Sequence, residues 1–303
     1  MKVKVIAKLN KRLWPSTKNT PLPNPLIPND ILEVVEEVDG EAPDSSANKK
    51  WYKTDKGFYV WSEGVQNISR ENLIIKITNN TFDSQQLSNT WWASHFPLLH
   101  TRSDIFSAVG RFEIKDRPKF FATGFCISER YLLTCRHVVR EFATGESSHW
   151  KIKKDSTCTI NFQAEGTGLK NTYALGKDVR IHLSADLAMV EYKIKEDQPP
   201  PTRLQLAPPE YFLNPDDPLV LIGHPAETFK GIKHLSTASF KERFNKSIAY
   251  SSIVEKGSSG SPVLNNELQV VGVHSGVNPV SGSLSPWASH HQIIHEFLKQ
   301  HSL

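Results

Sequence analysis

From about residue 104 to 285 the apolar residues come in short runs separated by turn-forming residues. Regularly spaced β-favouring runs of roughly this length predict an all-β barrel or sandwich. A Pro-rich break, Pro199-Pro200-Pro201 with Pro208-Pro209, divides this region in two. Behind it, His291 to Gln300 sets Ile293, Ile294, Phe297 and Leu298 at helical spacing, so an amphipathic terminal helix is expected to lie on a core. The first 66 residues predict a separate small β unit. Lys2–Leu9 alternates apolar and charged positions as a half-buried strand does, and Ile31–Val38 is a second strand closed by Asp39-Gly40. Trp51–Thr54 and Phe58–Trp61 are aromatic β-favouring runs around Asp55-Lys56-Gly57, a tight hairpin signal. A Pro-rich loop (Pro21 to Pro28) and a polar loop (Glu41 to Lys50) separate the strands. Between the two parts, 67–103 holds one apolar stretch, Leu73–Thr78, then polar residues and Trp91-Trp92, which suggests a connector packed on one domain. The expected organisation is therefore 1–66, 67–103 and 104–303, the last with halves at about 104–196 and 203–285 and a helix at about 289–300.

Composition narrows the function classes. The chain has 303 residues, enough for two or three units with their own cores, and a net charge of +4. Its Lys and Arg are spread out, with no dense basic block beside aromatic platforms, so no nucleic-acid partner is expected. Three cysteines, Cys126, Cys135 and Cys158, do not make a disulfide framework. One bridge between Cys126 and Cys135 is conceivable; free buried thiols are the preferred reading. The start, Met-Lys-Val-Lys-Val-Ile-Ala-Lys, is too short in apolar residues for a signal peptide, and no window of about 18 apolar residues exists. A cytoplasmic location and no membrane partner are the expectations.

Amide hydrolysis by a serine needs a nucleophilic hydroxyl, a base, a group that orients the base, and N–H donors where the oxyanion forms. Lys256-Gly257-Ser258-Ser259-Gly260-Ser261-Pro262 offers the nucleophile Ser259. Its glycines allow a sharp turn that would aim the N–H groups of Gly257 and Ser259 at one point. A plain Gly/Ser turn between strands would read the same way. Ala122–Ser128 and Tyr131–Val139 form a hairpin leading into His137 just past a strand end, the kind of place where catalytic side chains sit. Asp186, just before the apolar run Leu187–Val190, is placed to be buried and so needs partners; a His N–H is one. Taken singly, His137 reads equally as an ordinary core or surface histidine and Asp186 as a turn-initiating residue.

Together these segments resemble the trypsin/chymotrypsin superfamily of serine endopeptidases. Its "T-A-x-H" is matched by Thr134-Cys135-Arg136-His137, its "D-[IL]-A-[LV]" by Asp186-Leu187-Ala188-Met189, and its "G-[DN]-S-G-[GS]-P" by Gly257 to Pro262. Val220–Pro225 is similar to the "V-x-G-[YFH]-P" strand of bacterial members. The resemblance covers about 180 residues and implies a chymotrypsin-like double β-barrel. It assigns His137 as base, Asp186 as orienter and Ser259 as nucleophile, with an oxyanion hole at Gly257 and Ser259 and a protein or peptide as substrate. Where trypsin-like zymogens carry an Asp that pairs with a newly cut N-terminus, this chain has Ser258. That route of activation is not expected, and control through the N-terminal part or a regulatory protein partner is. The N-terminal part itself resembles bacterial Src-homology-three-like barrels through Trp51, Gly57 and Trp61. Such modules bind peptides or cell-wall fragments; a docking surface for the other half is the preferred role.

Val270–Val277 resembles the "G-[IV]-H-x-G" strand of bacterial glutamyl endopeptidases, with His274 placed 15 residues past Ser259. In that family the histidine binds an acidic side chain; picornaviral cysteine proteases use a similarly placed one for glutamine. A preference for Glu/Asp or Gln before the cut follows, with His274 as donor and Lys256 at the pocket rim. Val254 stands where those families carry Thr or Ser, which removes one hydroxyl donor. His274 as a satisfied strand histidine remains open. His291 and His295 lie four apart but lack a third ligand, so neither a metal nor another cofactor is expected. The alternatives to an endopeptidase are a catalytically silent protease-fold scaffold acting as a binding module, and a cell-wall protein binding through its N-terminal barrel.

Overall fold

The computed structural model describes residues 2–5, 8–18, 20–27, 30–41, 49–67, 74–78, 90–115, 117–162, 171–196, 198–226, 232–252, 254–280 and 283–303. Ile6 and Ala7 of the first expected strand, Pro28 of the Pro-rich loop, residues 42–48 of the polar loop, and 68–73 and 79–89 of the expected connector lie outside the described residues. The chain divides into two compact units, Met1–Glu71 and Asn72–Leu303.

The first unit is an antiparallel sheet of β1 (Lys2–Val5), β2 (Ile31–Asp39), β3 (Lys50–Thr54), β4 (Tyr59–Trp61) and β5 (Val65–Asn67), in the order β4-β3-β2-β1-β5. The aromatic hairpin forms as its pattern predicts. Gly57 takes φ +79° in the turn, a left-handed backbone that glycine adopts without a steric penalty, and Trp51 pairs with Trp61 across the strands. Alternation sets the core: Leu32 and Val34 are buried with Val5, Phe58, Val60 and Val65, while Val35 faces out.

In the second unit, β6 (Ile74–Lys76) and a short helix α1 (Thr90–His95) precede the barrels. The first barrel contains β7 (Val109–Ile114), β8 (Arg117–Cys126), β9 (Tyr131–Thr134), β10 (Ala143–Glu146), β11 (His149–Ile152), β12 (Cys158–Asn161), β13 (Thr172–Ile181) and β14 (Ala188–Lys193), with a one-turn helix α2 (Arg136–Val139) after β9. Six of these strands close a ring, β7-β8-β9-β14-β13-β12, by the pairing of β13 with β14; β10 and β11 extend it outward from β13. The second barrel is β15 (Pro218–Gly223), β16 (His234–Phe244), β17 (Ser247–Ser251), β18 (Pro262–Leu264), β19 (Val270–Val280) and β20 (Ser283–His290), closed by β15 against β16. Two closed six-stranded antiparallel barrels make the chymotrypsin-like fold. Closure removes the free strand edges that would otherwise template aggregation.

Residues 74–78 of the apolar stretch do more than connect: β6 pairs with the start of β16, and Ile75 and Ile77 enter the main core. Helix α3 (His291–Gln300) follows β20 directly and buries Ile293, Ile294, Phe297 and Leu298, the face its spacing predicts. It starts two residues later than expected because β20 runs to His290, whose ring accepts a hydrogen bond from the Gln292 N–H as the N-cap. Cys126, Cys135 and Cys158 are all free and buried. Among the described residues no helix is long and apolar enough to cross a membrane.

Three fully buried histidines set an acid limit on this unit. Burial disfavours the charged ring and holds His274 and His290 down to about 3 and His291 to about 4; neighbouring positive groups add to it. In the unfolded chain these rings titrate near 6.5. As pH falls below that value the unfolded state takes up protons that the folded state refuses. Their contribution to stability is therefore complete above pH 6.5 and is lost as pH drops toward 4. With all three rings titrating, the slope approaches about 4 kcal/mol per pH unit. Urea midpoints measured from pH 7 to pH 4.5 are expected to fall steeply in that window, before most carboxylates titrate. Equal midpoints at the two ends would show that these rings are protonated in the fold.

Candidate active site

Strand β9 ends at Thr134, and Cys135, in extended conformation, caps the single turn of α2. Val138 and Val139 are buried and hold that turn on the barrel, which lifts His137 to the surface with its side chain 45% exposed. Asp186 lies in the turn between β13 and β14. That turn is shaped by His182, whose Nδ1 accepts from the N–H groups of Ser184 (3.2 Å) and Ala185 (2.9 Å). Arg136 donates from α2 to the carbonyls of His182 and Leu183 at 3.2 and 2.7 Å and fastens the turn to the helix. The outcome is a two-point contact. Asp186 Oδ1 accepts from the His137 backbone N–H at 2.9 Å, and Oδ2 lies 2.7 Å from His137 Nδ1. Burial alone would raise the Asp186 pKa, but the bonds from His137 and the charge of Arg136 outweigh it and bring it below the ordinary value. Asp186 is thus an anion at neutral pH, and the proton in that contact belongs to His137 Nδ1.

The segment around Ser259 is fixed peptide by peptide. The Lys256 carbonyl accepts from the Ala226 N–H at 2.7 Å, and the Gly257 carbonyl from Thr123 Oγ1 at 2.8 Å. The Ser258 carbonyl accepts from the Ser261 N–H at 3.0 Å, and the Ser259 carbonyl from the Thr123 N–H at 2.9 Å. A trans peptide is planar, so anchoring each carbonyl aims the following N–H the opposite way. Two of those N–H groups are spent, Ser258 on the Glu255 carbonyl (3.1 Å) and Gly260 on the His274 carbonyl (2.8 Å). The other two, those of Gly257 and Ser259, donate to no acceptor among the described residues. Gly257 has φ +95°, and a Cβ there would lie 2.3 Å from the His224 carbonyl, so only glycine lets the loop lie this close.

Thr123 is a residue that sequence reasoning passed over. It is fully buried and spends every polar atom on this region: N–H to Ser259, hydroxyl to Gly257, hydroxyl oxygen accepting from the His224 N–H (3.1 Å), carbonyl accepting from Thr134 Oγ1 (2.8 Å). A threonine in a β-run signals nothing by itself, which is why its sequence position gave no warning. The His274 carbonyl adds a second tie between the barrels, since it accepts from both the Gly260 N–H and the Cys135 thiol (3.0 Å). These bonds bring the Ser259 loop beside the strand end that leads to His137. Among the described residues Ser259 and His137 share no hydrogen bond.

The other expected site residues are placed as follows. His274 is 2% exposed, with Nδ1 2.5 Å from the Tyr250 hydroxyl and a further hydrogen bond to the Trp287 backbone. Its depressed pKa makes the ring neutral. Lys256 is exposed, and Val254 is half-buried against the core of the second barrel. Ser258 is buried, and its hydroxyl faces the Glu255 N–H at 3.4 Å. His295 Nε2 bonds the Ala207 carbonyl at 2.8 Å, and its ring centroid is 6.3 Å from that of His291.

Two antiparallel six-stranded barrels, with a paired His–Asp at the end of one and a Gly-Ser-Ser-Gly turn on the other, define a chymotrypsin-like protein. Comparison with known families agrees: the trypsin-like peptidase domain matches residues 122–273, half of the chain. The chain belongs to that family. It is also similar to the solved structure of a serine-to-alanine mutant of Rv3671c from M. tuberculosis H37Rv in its inactive form, at 18% identity and a TM-score of 0.49, covering 68% of this chain and 91% of that one. A second Rv3671c protease structure, also an inactive form, matches at 17% identity and a TM-score of 0.48, covering 67% and 92%.

Proposed function

We propose that this chain is an active serine endopeptidase that cuts a protein substrate through Ser259, His137 and Asp186. The observation that carries the reading is that the N–H groups of Gly257 and of Ser259 itself donate to no acceptor among the described residues, in a loop whose carbonyls from Lys256 to Ser259 are all anchored. Donors held in place before reaction stabilise a developing oxyanion without reorganising, which is the main electrostatic contribution in acyl transfer. His137 Nε2 accepts the proton of Ser259 Oγ as that oxygen bonds to the scissile carbonyl carbon. Asp186 keeps the Nδ1–H oriented and stabilises the imidazolium that results. Collapse of the tetrahedral intermediate breaks the C–N bond, His137 gives its proton to the leaving amine, and water repeats the cycle on the acyl-enzyme. Nucleophile–base hydrogen bonds are commonly long without substrate and tighten in the complex.

We assign the residue before the cut to Glu, Asp or Gln through His274. The neutral ring favours the amide of Gln among these, because a carboxylate would bring an unpaired charge into a buried site. A substrate side chain would have to replace the ring's bond to Trp287. Uncharged Ser258 supports control by the N-terminal unit or a protein partner rather than by a new N-terminus; equal activity of the full chain and a 72–303 fragment under all conditions would remove that part.

The test is labelling with a fluorophosphonate and a peptide library on the same preparations. Covalent capture that disappears in Ser259→Ala, with cleavage after Gln, Glu or Asp, is the expected result. No labelling under any condition would favour the silent-scaffold alternative, and cleavage with no preference for these residues would remove His274 from specificity.

A further inference from the structure

We propose that Cys135, His137 and Asp186 form a site for one thiophilic divalent cation, Zn2+ or Cd2+, and that filling it shuts off the active site. Cys135 takes no chemical step in the mechanism above; its thiol is fully buried, donates to the His274 carbonyl at 3.0 Å and lies close to the His–Asp pair. A ligand atom from each of the three, the Cys135 thiol sulfur, a His137 ring nitrogen and an Asp186 carboxylate oxygen, lies within 4.8 Å of the other two. Zinc sits about 2.0–2.3 Å from each ligand in a tetrahedral site, which sets neighbouring ligand atoms somewhat under 4 Å apart. Small side-chain rotations therefore close the triangle on an ion. Sulfur, imidazole and carboxylate together suit Zn2+ or Cd2+, not Ca2+ or Mg2+, which take oxygen ligands. Three protein ligands leave a fourth position for water, and the exposed side of His137 is the way in.

Binding changes the proton inventory in a definite way. The Cys135 thiol gives its proton to solvent and a metal–sulfur bond forms. Metal replaces the proton on His137 Nδ1, and the neutral ring then carries its proton on Nε2. That nitrogen is the one that must accept the proton of Ser259, so the base is disabled while the fold stays intact. The two charges of the cation are balanced by the thiolate and the Asp186 carboxylate, so no net charge is buried. The shut-off rests on the endopeptidase reading; the metal site rests only on the three side chains.

The experiment titrates the full-length protein with Cd2+ and follows two signals: the ultraviolet thiolate-to-metal absorption and the rate of fluorophosphonate labelling. Expected is an absorption rise that saturates at one Cd2+ per chain, with a labelling rate reduced at least tenfold. Cys135→Ala and Cys135→Ser, the latter keeping a hydroxyl donor for the His274 carbonyl, are each read against their own metal-free labelling rate and are expected to lose both the absorption rise and the cation-dependent fall in labelling. Unchanged absorption in the wild type, or an equal response in the Cys135 variants, overturns the site. A saturating rise lost in the variants, with labelling undisturbed, overturns the shut-off. If nothing labels even in metal-free buffer, the protease reading has failed, and the absorption titration still decides the metal site.

Discussion

Gly260→Ala is expected to lower the labelling rate of Ser259 by at least a hundredfold while both barrels stay folded. Gly260 has φ +89°, a conformation that costs an L side chain about 1 kcal/mol or more. Strain is the smaller part of the effect. A Cβ at this position would lie 1.9 Å from the Thr123 carbonyl oxygen and 2.4 Å from Thr134 Oγ1. Neither atom can yield easily, because they are hydrogen-bonded to each other at 2.8 Å and Thr123 also anchors Ser259 and Gly257. Relief must come from the Ser259 loop moving by about 1 Å, and displacements of that size cost about a hundredfold in positioned reactions. Gly57→Ala is the control. It has a similar φ of +79° but nothing within 4 Å of the added methyl, so it should lose about 1 kcal/mol of stability and no activity. Labelling of Gly260→Ala within tenfold of the wild type would mean the loop is not held by Thr123.

That contrast also shows what the sequence could and could not convey. The glycines at 257 and 260 announce a sharp turn, and the His137, Asp186 and Ser259 segments are readable because each is a local string of residue types. The 51–61 hairpin and α3 are readable for the same reason, since their signals are turn chemistry and period. Barrel closure is not local: β13 against β14 and β15 against β16 depend on pairings that alternation does not specify. The pairing of β6 with β16, some 160 residues on, is hidden likewise. Thr123 and Cys135 carry no signal because threonine in a strand and cysteine in a core are ordinary. Their importance lies in which carbonyls and carboxylates the fold brings to them. His274 shows the opposite case. Its position suggested a donor aimed at substrate, and the structure adds a neutral ring already engaged by Tyr250 and Trp287, a state that depends on burial and not on residue type.

Asp186→Asn should be the most damaging conservative change, with kcat reduced by about 10,000-fold and KM little altered, as for the equivalent substitution in a Ser-His-Asp triad. The reasoning follows from the two contacts. Oδ1 accepts the backbone N–H of His137 at 2.9 Å, and in the variant that place is kept by the amide oxygen, the only acceptor asparagine has. The amide nitrogen then falls at the Oδ2 position, 2.7 Å from His137 Nδ1, and presents a hydrogen where the aspartate presents lone pairs. Two donors cannot share that contact, so Nδ1 gives up its hydrogen and the ring takes the tautomer with the proton on Nε2. The ring keeps its position, but Nε2, the nitrogen that the proposed mechanism uses as the base, no longer accepts a proton. Folding should be little affected, because the turn is also held by Arg136 and His182. The same blocked tautomer is the one the proposed cation would impose from Cys135, so the variant and the metal-bound wild type should share a labelling defect that excess chelator reverses only in the latter. Steady-state kinetics on a cleaved peptide, with urea midpoints as the folding check, measure both parts. A fall of less than tenfold with an unchanged midpoint would show that Asp186 does not orient His137.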